Sequence, residues 1–133
     1  MELLVTHPIK KSDLGFHGNL FGGTLLSWLD AAVAAYAMEK CHSKNMITVA
    51  IDKCVFKKPA KESNLVKIYA EISKIGITSV TFSVEARTYS VFRGDESLIL
   101  NTTMSFVRID DEGVPIPISE QVRRSFNTPG DIL

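Results

Sequence analysis

Gly15-Phe16-His17-Gly18-Asn19-Leu20-Phe21-Gly22-Gly23-Thr24, running straight into Leu25-Leu26-Ser27-Trp28-Leu29-Asp30-Ala31-Ala32-Val33-Ala34-Ala35-Tyr36-Ala37-Met38, is the stretch that decides how this chain folds. From Leu25 onward, Leu25, Leu26, Leu29, Ala32, Val33, Tyr36 and Ala37 recur at the spacing that lines one face of an α-helix. The pattern predicts one long, buried helix reaching about Lys40, with Asn45 placed to close it. Its face is rich in alanine, so whatever covers the helix can come close to its backbone. Gly22 and Gly23 stand just ahead and bare the first amides, whose N–H groups have no acceptor within a helix. Such amides suit an oxygen that carries negative charge. Asp30, a carboxylate two turns inside an otherwise apolar element, needs a reason to be there.

The rest of the chain supplies a sheet. Leu3, Val5 and the residues to Pro8 predict a first strand, ended by a proline that cannot donate to a ladder. After the helix, Met46 to Phe56 is β-branched and nearly all apolar, as for a strand covered on both faces or lying at an interface. Leu65 to Ser73 and Val80 to Arg87 alternate apolar with polar residues, the period of half-buried strands. Leu98 to Ile109 predicts a long last strand, closed by Asp110-Asp111-Glu112-Gly113. The tail, with Pro115 and Pro117, reads as irregular, with a short exposed helix over Glu120 to Arg124. One helix and about five mainly antiparallel strands make an α+β fold with the helix on one face of the sheet. The uncovered face or an edge strand then needs a partner, so an oligomer is expected.

Composition narrows the function classes. The 133 residues are expected to form one domain over 1–133, large enough to bury a real core. Fifteen basic residues balance fifteen acidic ones, without the basic excess of a nucleic-acid binder. Neither a leader at the first residues nor an apolar run of membrane-spanning length is visible, so a cytoplasmic protein without a membrane partner is expected. Cys41 and Cys54 have no metal or redox spacing and read as packing residues. No metal site and no cofactor are proposed.

At this point the residues resemble a known family, the hotdog-fold acyl-CoA thioesterases of the bacterial acyl-CoA hydrolase branch. Gly18-Asn19-Leu20-Phe21-Gly22-Gly23-Thr24-Leu25-Leu26 followed by Asp30 is similar to that branch's motif, glycine, asparagine or aspartate, any residue, then Phe-Gly-Gly, with an acid in the helix. Val49-Ala50-Ile51-Asp52 and Phe56-Lys57-Lys58-Pro59 resemble the strand that follows the helix in the family, and the likeness covers about residues 12 to 110. It implies a hotdog fold, the sheet wrapped on the helix, and an acyl-CoA substrate cleaved to the free acid and coenzyme A. It implies Asp30 as general base or nucleophile and Asn19 as a group that places water or substrate. The amide of Gly23, with Gly22 and Thr24 beside it, is the implied donor to the thioester carbonyl. It further implies a dimer with its two helices side by side, often three such dimers in a hexamer, and coenzyme A lying along the interface.

The chemistry agrees with these residue types. A thioester needs no metal, because a thiolate leaves readily; it needs donors aimed at the developing oxyanion and a carboxylate that activates water or attacks. Seven residues separate Gly23 from Asp30, about 10 Å at a rise of roughly 1.5 Å per residue. One carbonyl cannot comfortably meet both along a single helix, so Asp30 is expected to serve the amides of a neighbouring subunit. Bland readings exist for each residue. Asp30 fits a polar helix edge, Gly22-Gly23 a tight turn, and Asn19 a turn or cap.

Other residues carry weaker claims. His17 reads as a loop histidine at the site entrance, although paired with Asp30 it would suit a hotdog hydro-lyase, a dehydratase or hydratase, acting on acyl thioesters. A non-enzymatic acyl-CoA-binding module is the other alternative. Asp52 ranks second to Asp30 as a catalytic acid. Lys53, Lys57, Lys58 and Lys61 form a basic cluster that reads as a solvated strand end, or, with Arg87 and Arg108, as candidates to meet the phosphates of coenzyme A.

Overall fold

A computed structural model describes residues 1–127 of the chain. Strand β1 (Glu2–Pro8) leads through a short 3₁₀ turn (Lys11–Asp13) into helix α1 (Gly22–Cys41). Strands β2 (Met46–Ile51), β3 (Val55–Phe56), β4 (Leu65–Ile75), β5 (Ser79–Tyr89) and β6 (Glu96–Arg108) follow, then helix α2 (Glu120–Asn127). The sheet runs β1-β4-β5-β6-β2, with β3 pairing β6 beyond the end of β2, and every pairing is antiparallel. The five expected strands make the main path, and the two-residue β3 is a sixth. The single apolar run Met46 to Phe56 is broken because Asp52 folds back on β6. Its N–H donates to the Thr103 carbonyl at 2.9 Å, and its carboxylate accepts from the Lys53 N–H at 2.9 Å.

Period-two alternation sorts the side chains. Val66, Ile68 and Ala70 of β4 and Val80, Phe82, Val84 and Ala86 of β5 face α1 and are buried. Beneath the helix, Phe82 stands 5.4 Å from the Tyr36 ring and 5.8 Å from Phe106, centroid to centroid. The opposite face is polar. Arg87 stacks on Tyr69 and is held by Glu85 and Glu96, and the Thr81 and Ser105 hydroxyls meet at 2.9 Å. A run of exposed apolar side chains lies instead along an edge: β2 ends the sheet, and Ile47, Val49, Ile51, Val55 and Phe56 are exposed along β2 and β3.

Three expectations for α1 change. The helix begins at Gly22, so both glycines lie in its first turn and not ahead of it. It is buried on one face only: Leu25, Leu29, Val33, Tyr36, Ala37 and Cys41 are inside, while Ser27, Ala31, Ala35 and Met38 are exposed. His42, left-handed at φ 52°, closes the helix in place of Asn45, and the amides of His42 and Ser43 both reach the Met38 carbonyl.

The tail is more ordered than its prolines suggested. Ile116 donates to the Arg108 carbonyl, Ile118 donates to the Ile77 carbonyl at 2.8 Å, and the Ile118 side chain is fully buried. Helix α2 runs three residues past the expected Arg124, and its Val122 is buried rather than exposed. Burial pushes the Cys41 thiol up to about 11. Tyr36 is raised to about 12, first by burial and then by the bond its hydroxyl donates to Glu2. No helix among the described residues is long and apolar enough to cross a membrane.

Candidate active site

The loop before α1 is a tight turn tied at both ends. The Gly15 N–H donates to the Asn19 carbonyl at 2.8 Å and the Gly18 N–H to the Gly15 carbonyl at 3.0 Å, with Gly18 at φ +78°. That positive φ is where a glycine is needed. The Leu20 N–H then reaches across to the Ala60 carbonyl at 2.7 Å, and the Phe21 N–H to the Asp13 carbonyl at 2.9 Å. The first of these bonds draws the lysine-bearing segment after β3 against the helix entrance.

The N-cap itself is unusual. Helices prefer Ser, Thr, Asp or Asn there, whose side-chain oxygen satisfies an orphan amide. Here the N-cap is Phe21, which has no such oxygen, and the amides of Gly22, Gly23 and Thr24 have no acceptor among the described residues. The first satisfied amide is that of Leu25, bonded to the Phe21 carbonyl at 3.1 Å. Both glycines give clearance. A Cβ on Gly23 would lie 2.9 Å from the Phe21 ring, and one on Gly22 would lie 3.3 Å from the tip of Phe56. Three adjacent bare amides at the positive end of a twenty-residue helix form an anion-attracting mouth.

A cleft of about 480 Å³ opens beside that mouth. His17, Asn19, Gly22 and Lys58 all line it, so four of the expected site residues come together. Lys57 joins them, and among the described residues neither lysine is paired with an acid. The His17 Nδ1 accepts the Asn19 N–H at 3.1 Å, which puts the proton of a neutral imidazole on Nε2. Thr24 turns to the other side of the helix entrance, into a second cleft with Ser12, Asp13, Leu14, Gly15, Phe16 and Phe21.

Asp30 lines neither cleft. It sits half-buried on the side of α1 that faces the sheet edge, where its Oδ1 accepts the Thr48 hydroxyl at 2.6 Å. Thr48 lies just before a register shift in the β2–β6 ladder, with Val49 as the extra residue between Thr48 and Ala50. Asp52 is differently placed: exposed, its carboxylate takes the Lys53 N–H and the Thr103 hydroxyl, at 2.9 and 3.3 Å, and shapes the break in the strand. Arg87 and Arg108 are already engaged, by Glu85 with Glu96 and by the Pro117 carbonyl. That leaves the lysines as the open cations near the mouth.

A Phe-Gly-Gly helix mouth, a helix carboxylate and a wrapped sheet are the parts the resemblance implies, and comparison with known proteins bears on the family and the fold. Residues 17–91 match the thioesterase superfamily. The chain belongs to that family. Among curated relatives, the acyl-CoA thioester hydrolase YciA of Salmonella typhimurium is 27% identical over 128 residues, which is 90% of this chain and 92% of YciA. Among solved structures, a hexameric hotdog fold thioesterase of Campylobacter jejuni superposes with a TM-score of 0.82 at 30% identity, covering 93% of this chain and 95% of that one. An acyl-CoA hydrolase of Staphylococcus aureus, solved with butyryl coenzyme A and coenzyme A, gives a TM-score of 0.79 at 27% identity, covering 96% and 82%. The fold of this superfamily member is accordingly the hotdog fold.

Two residues escaped the reading of the sequence. Thr48 looked like an ordinary β-branched strand residue, and only the packing of β2 beside α1 brings its hydroxyl to Asp30. Phe21, read only as part of the motif, is a non-capping cap, 55% exposed. Its signal was readable in principle: no Ser, Thr, Asp or Asn stands directly before the glycines.

Proposed function

We propose that this protein hydrolyses acyl-CoA thioesters to a carboxylic acid and coenzyme A without a metal, in sites shared between two subunits. The observation that carries the reading is the pairing of three acceptorless amides at the Phe21-capped helix mouth with a carboxylate fixed by Thr48 on the same helix. The amides polarise the thioester carbonyl and hold the oxyanion that forms. Asp30 takes the proton of an attacking water and the thiolate leaves, or Asp30 attacks itself, the thiolate leaves, and water then opens the mixed anhydride to release the acid. The Thr48 bond on Oδ1 fixes the carboxylate and leaves Oδ2 to face the reaction. The names of the relatives support the substrate class.

The assembly follows from two distances. Asp30 and Gly23 are about 10 Å apart along one helix at roughly 1.5 Å per residue, and Asp30 lies beside Thr48 on the strand whose outer edge is unpaired. Pairing two such edges covers the exposed Ile47, Val49 and Ile51 and carries each Asp30 towards the partner's helix mouth. Three dimers of this kind make a hexamer, the state recorded for the Campylobacter relative.

The test is thiol release from a panel of acyl-CoAs, with and without a chelator. D30N is expected to lose about 10²–10⁴-fold in kcat with an unchanged melting temperature, and T48V about 10–100-fold, the worth of a hydrogen bond to a charged group. The chelator is expected to change nothing. Turnover by D30N at the parent rate would refute the assignment. Mixed dimers of D30N with G23P are expected to regain part of the activity; complete inactivity of the mixture would refute the sharing of sites.

A further inference from the structure

We infer, resting on the hydrolase reading above, that the cleft beside the helix mouth receives the acyl chain and that Phe56 sets how long a chain it accepts. With the carbonyl held at the mouth, the two arms of the substrate must leave in different directions. One arm, coenzyme A, carries amides, a hydroxyl and phosphates. The other carries methylenes alone. The cleft floor is made of Leu20, Leu25, Ala60 and Ile99, which are 8%, 2%, 4% and 1% exposed. The Ala60 carbonyl at that floor is already taken by the Leu20 N–H. An amide pushed into such a floor would lose its water without gaining a partner, whereas each methylene gains about 0.8 kcal/mol. Of the charged and polar residues of the cleft, His17, Lys57 and Lys58 are exposed at its rim, and Asn19 is half-buried in the loop that leads into the helix mouth.

Phe56 is the adjustable wall. Its backbone is fixed, because Val55 and Phe56 pair with Asn101 and Leu100 and the Lys57 N–H donates to the Ile99 carbonyl at 2.8 Å. Its ring is half exposed and closes against the first helical residue, with only 3.3 Å to spare for a Cβ on Gly22. Removing the ring lengthens the cleft next to the bare amides. Adding a methyl at Gly22 pushes the ring the other way.

The experiment measures kcat/KM for straight-chain acyl-CoAs from acetyl to palmitoyl, together with inhibition by free coenzyme A. In the parent, kcat/KM is expected to rise about fourfold per methylene until the cleft is full, the equivalent of the transfer free energy of a CH₂ group. F56A is expected to move that maximum to longer chains, gaining about fourfold in the long-to-short ratio for each further methylene buried. G22A is expected to move it to shorter chains, and F56A is expected to cancel that shift in the double variant. Phe56→Leu keeps β3 apolar if F56A misfolds, and is expected to give an intermediate shift. Inhibition by free coenzyme A stays constant throughout. A profile unmoved by these variants, or one displaced by a uniform factor together with coenzyme A inhibition, overturns the assignment of the cleft to the acyl arm. A parent that releases no thiol from any chain length refutes the hydrolase reading itself.

Discussion

The two ends of helix α1 are built to opposite rules. At the C-terminal end the helix is closed by its own backbone. His42 takes the left-handed conformation, its amide and that of Ser43 close on the Met38 carbonyl, and Lys40 lies in the last turn where the macrodipole favours a cation. The strap after β6 then buries Ile118 and Val122. At the N-terminal end the usual device is missing: Phe21 stands where a hydroxyl or carboxylate would satisfy an amide. A missing cap costs about 1 kcal/mol, a loss a protein of this size can bear only where something else is gained. Under the proposed function the difference has a meaning: the closed end carries stability, and the open end is left for an oxygen of the substrate.

The sharpest way to break that division is at the closed end. I118A removes a fully buried side chain at the strap, and the expected cost is about 2–5 kcal/mol in denaturant unfolding with kcat unchanged while the protein stays folded. The same end is expected to fail first in base. Cys41 and Tyr36 are raised from 9.0 and 10.0 to about 11 and about 12, so the folded chain holds these protons after the unfolded chain has released them. Their contribution is whole below about pH 9 and declines as pH climbs towards 12. Alkaline unfolding of the Y36F variant, followed by circular dichroism, is expected to lose the part of the decline above pH 10. A loss of kcat in I118A without loss of stability would show that the ends are not separate.

The open end is broken by closing it. F21S offers a side-chain oxygen to the amide of Gly23 or Thr24, so stability is expected to rise by about 1 kcal/mol. Activity is expected to fall about 10–100-fold as an oxyanion donor is drawn off. F21A takes away the ring without adding an oxygen and is expected to stay closer to the parent in kcat. Denaturation and thiol release on the three proteins decide it. Stability and activity moving together would mean that the bare amides have no role in turnover.

How much of this was legible in the sequence follows the same physics. The 3.6-residue period of α1 and the two-residue period of β4 and β5 were readable because one face of each is buried against the other. The Gly22-Gly23 mouth and Asp30 were readable because glycine pairs and lone acids break such a pattern. What failed depended on partners distant in the chain. Ile118, between Pro117 and the polar start of α2, is buried only because its amide finds Ile77. Thr48 meets Asp30 only because β2 packs beside α1. The split of β2 from β3 needed the reach of Asp52 to Thr103 on β6. No local period encodes such encounters.

The smallest effect sharpens the comparison from the closed side. His42 is held at φ 52°, a region that costs a residue with a Cβ about 1–2 kcal/mol and costs glycine nothing. H42G removes that strain but frees more backbone in the unfolded chain and takes away a side chain at a helix C-terminus, which offsets about 0.5–1 kcal/mol of the gain. The expected net change is a stabilisation below about 1 kcal/mol, with kcat and chain-length preference untouched. The sign matters more than the size. A helix already closed by backbone geometry gains little from a better closing residue, whereas the mouth at Phe21 responds to one added oxygen with a gain in stability and a loss in turnover. If H42G instead altered turnover as strongly as F21S, strain at one end of α1 would be felt at the other, and the helix would have to be treated as a single lever joining strap and site.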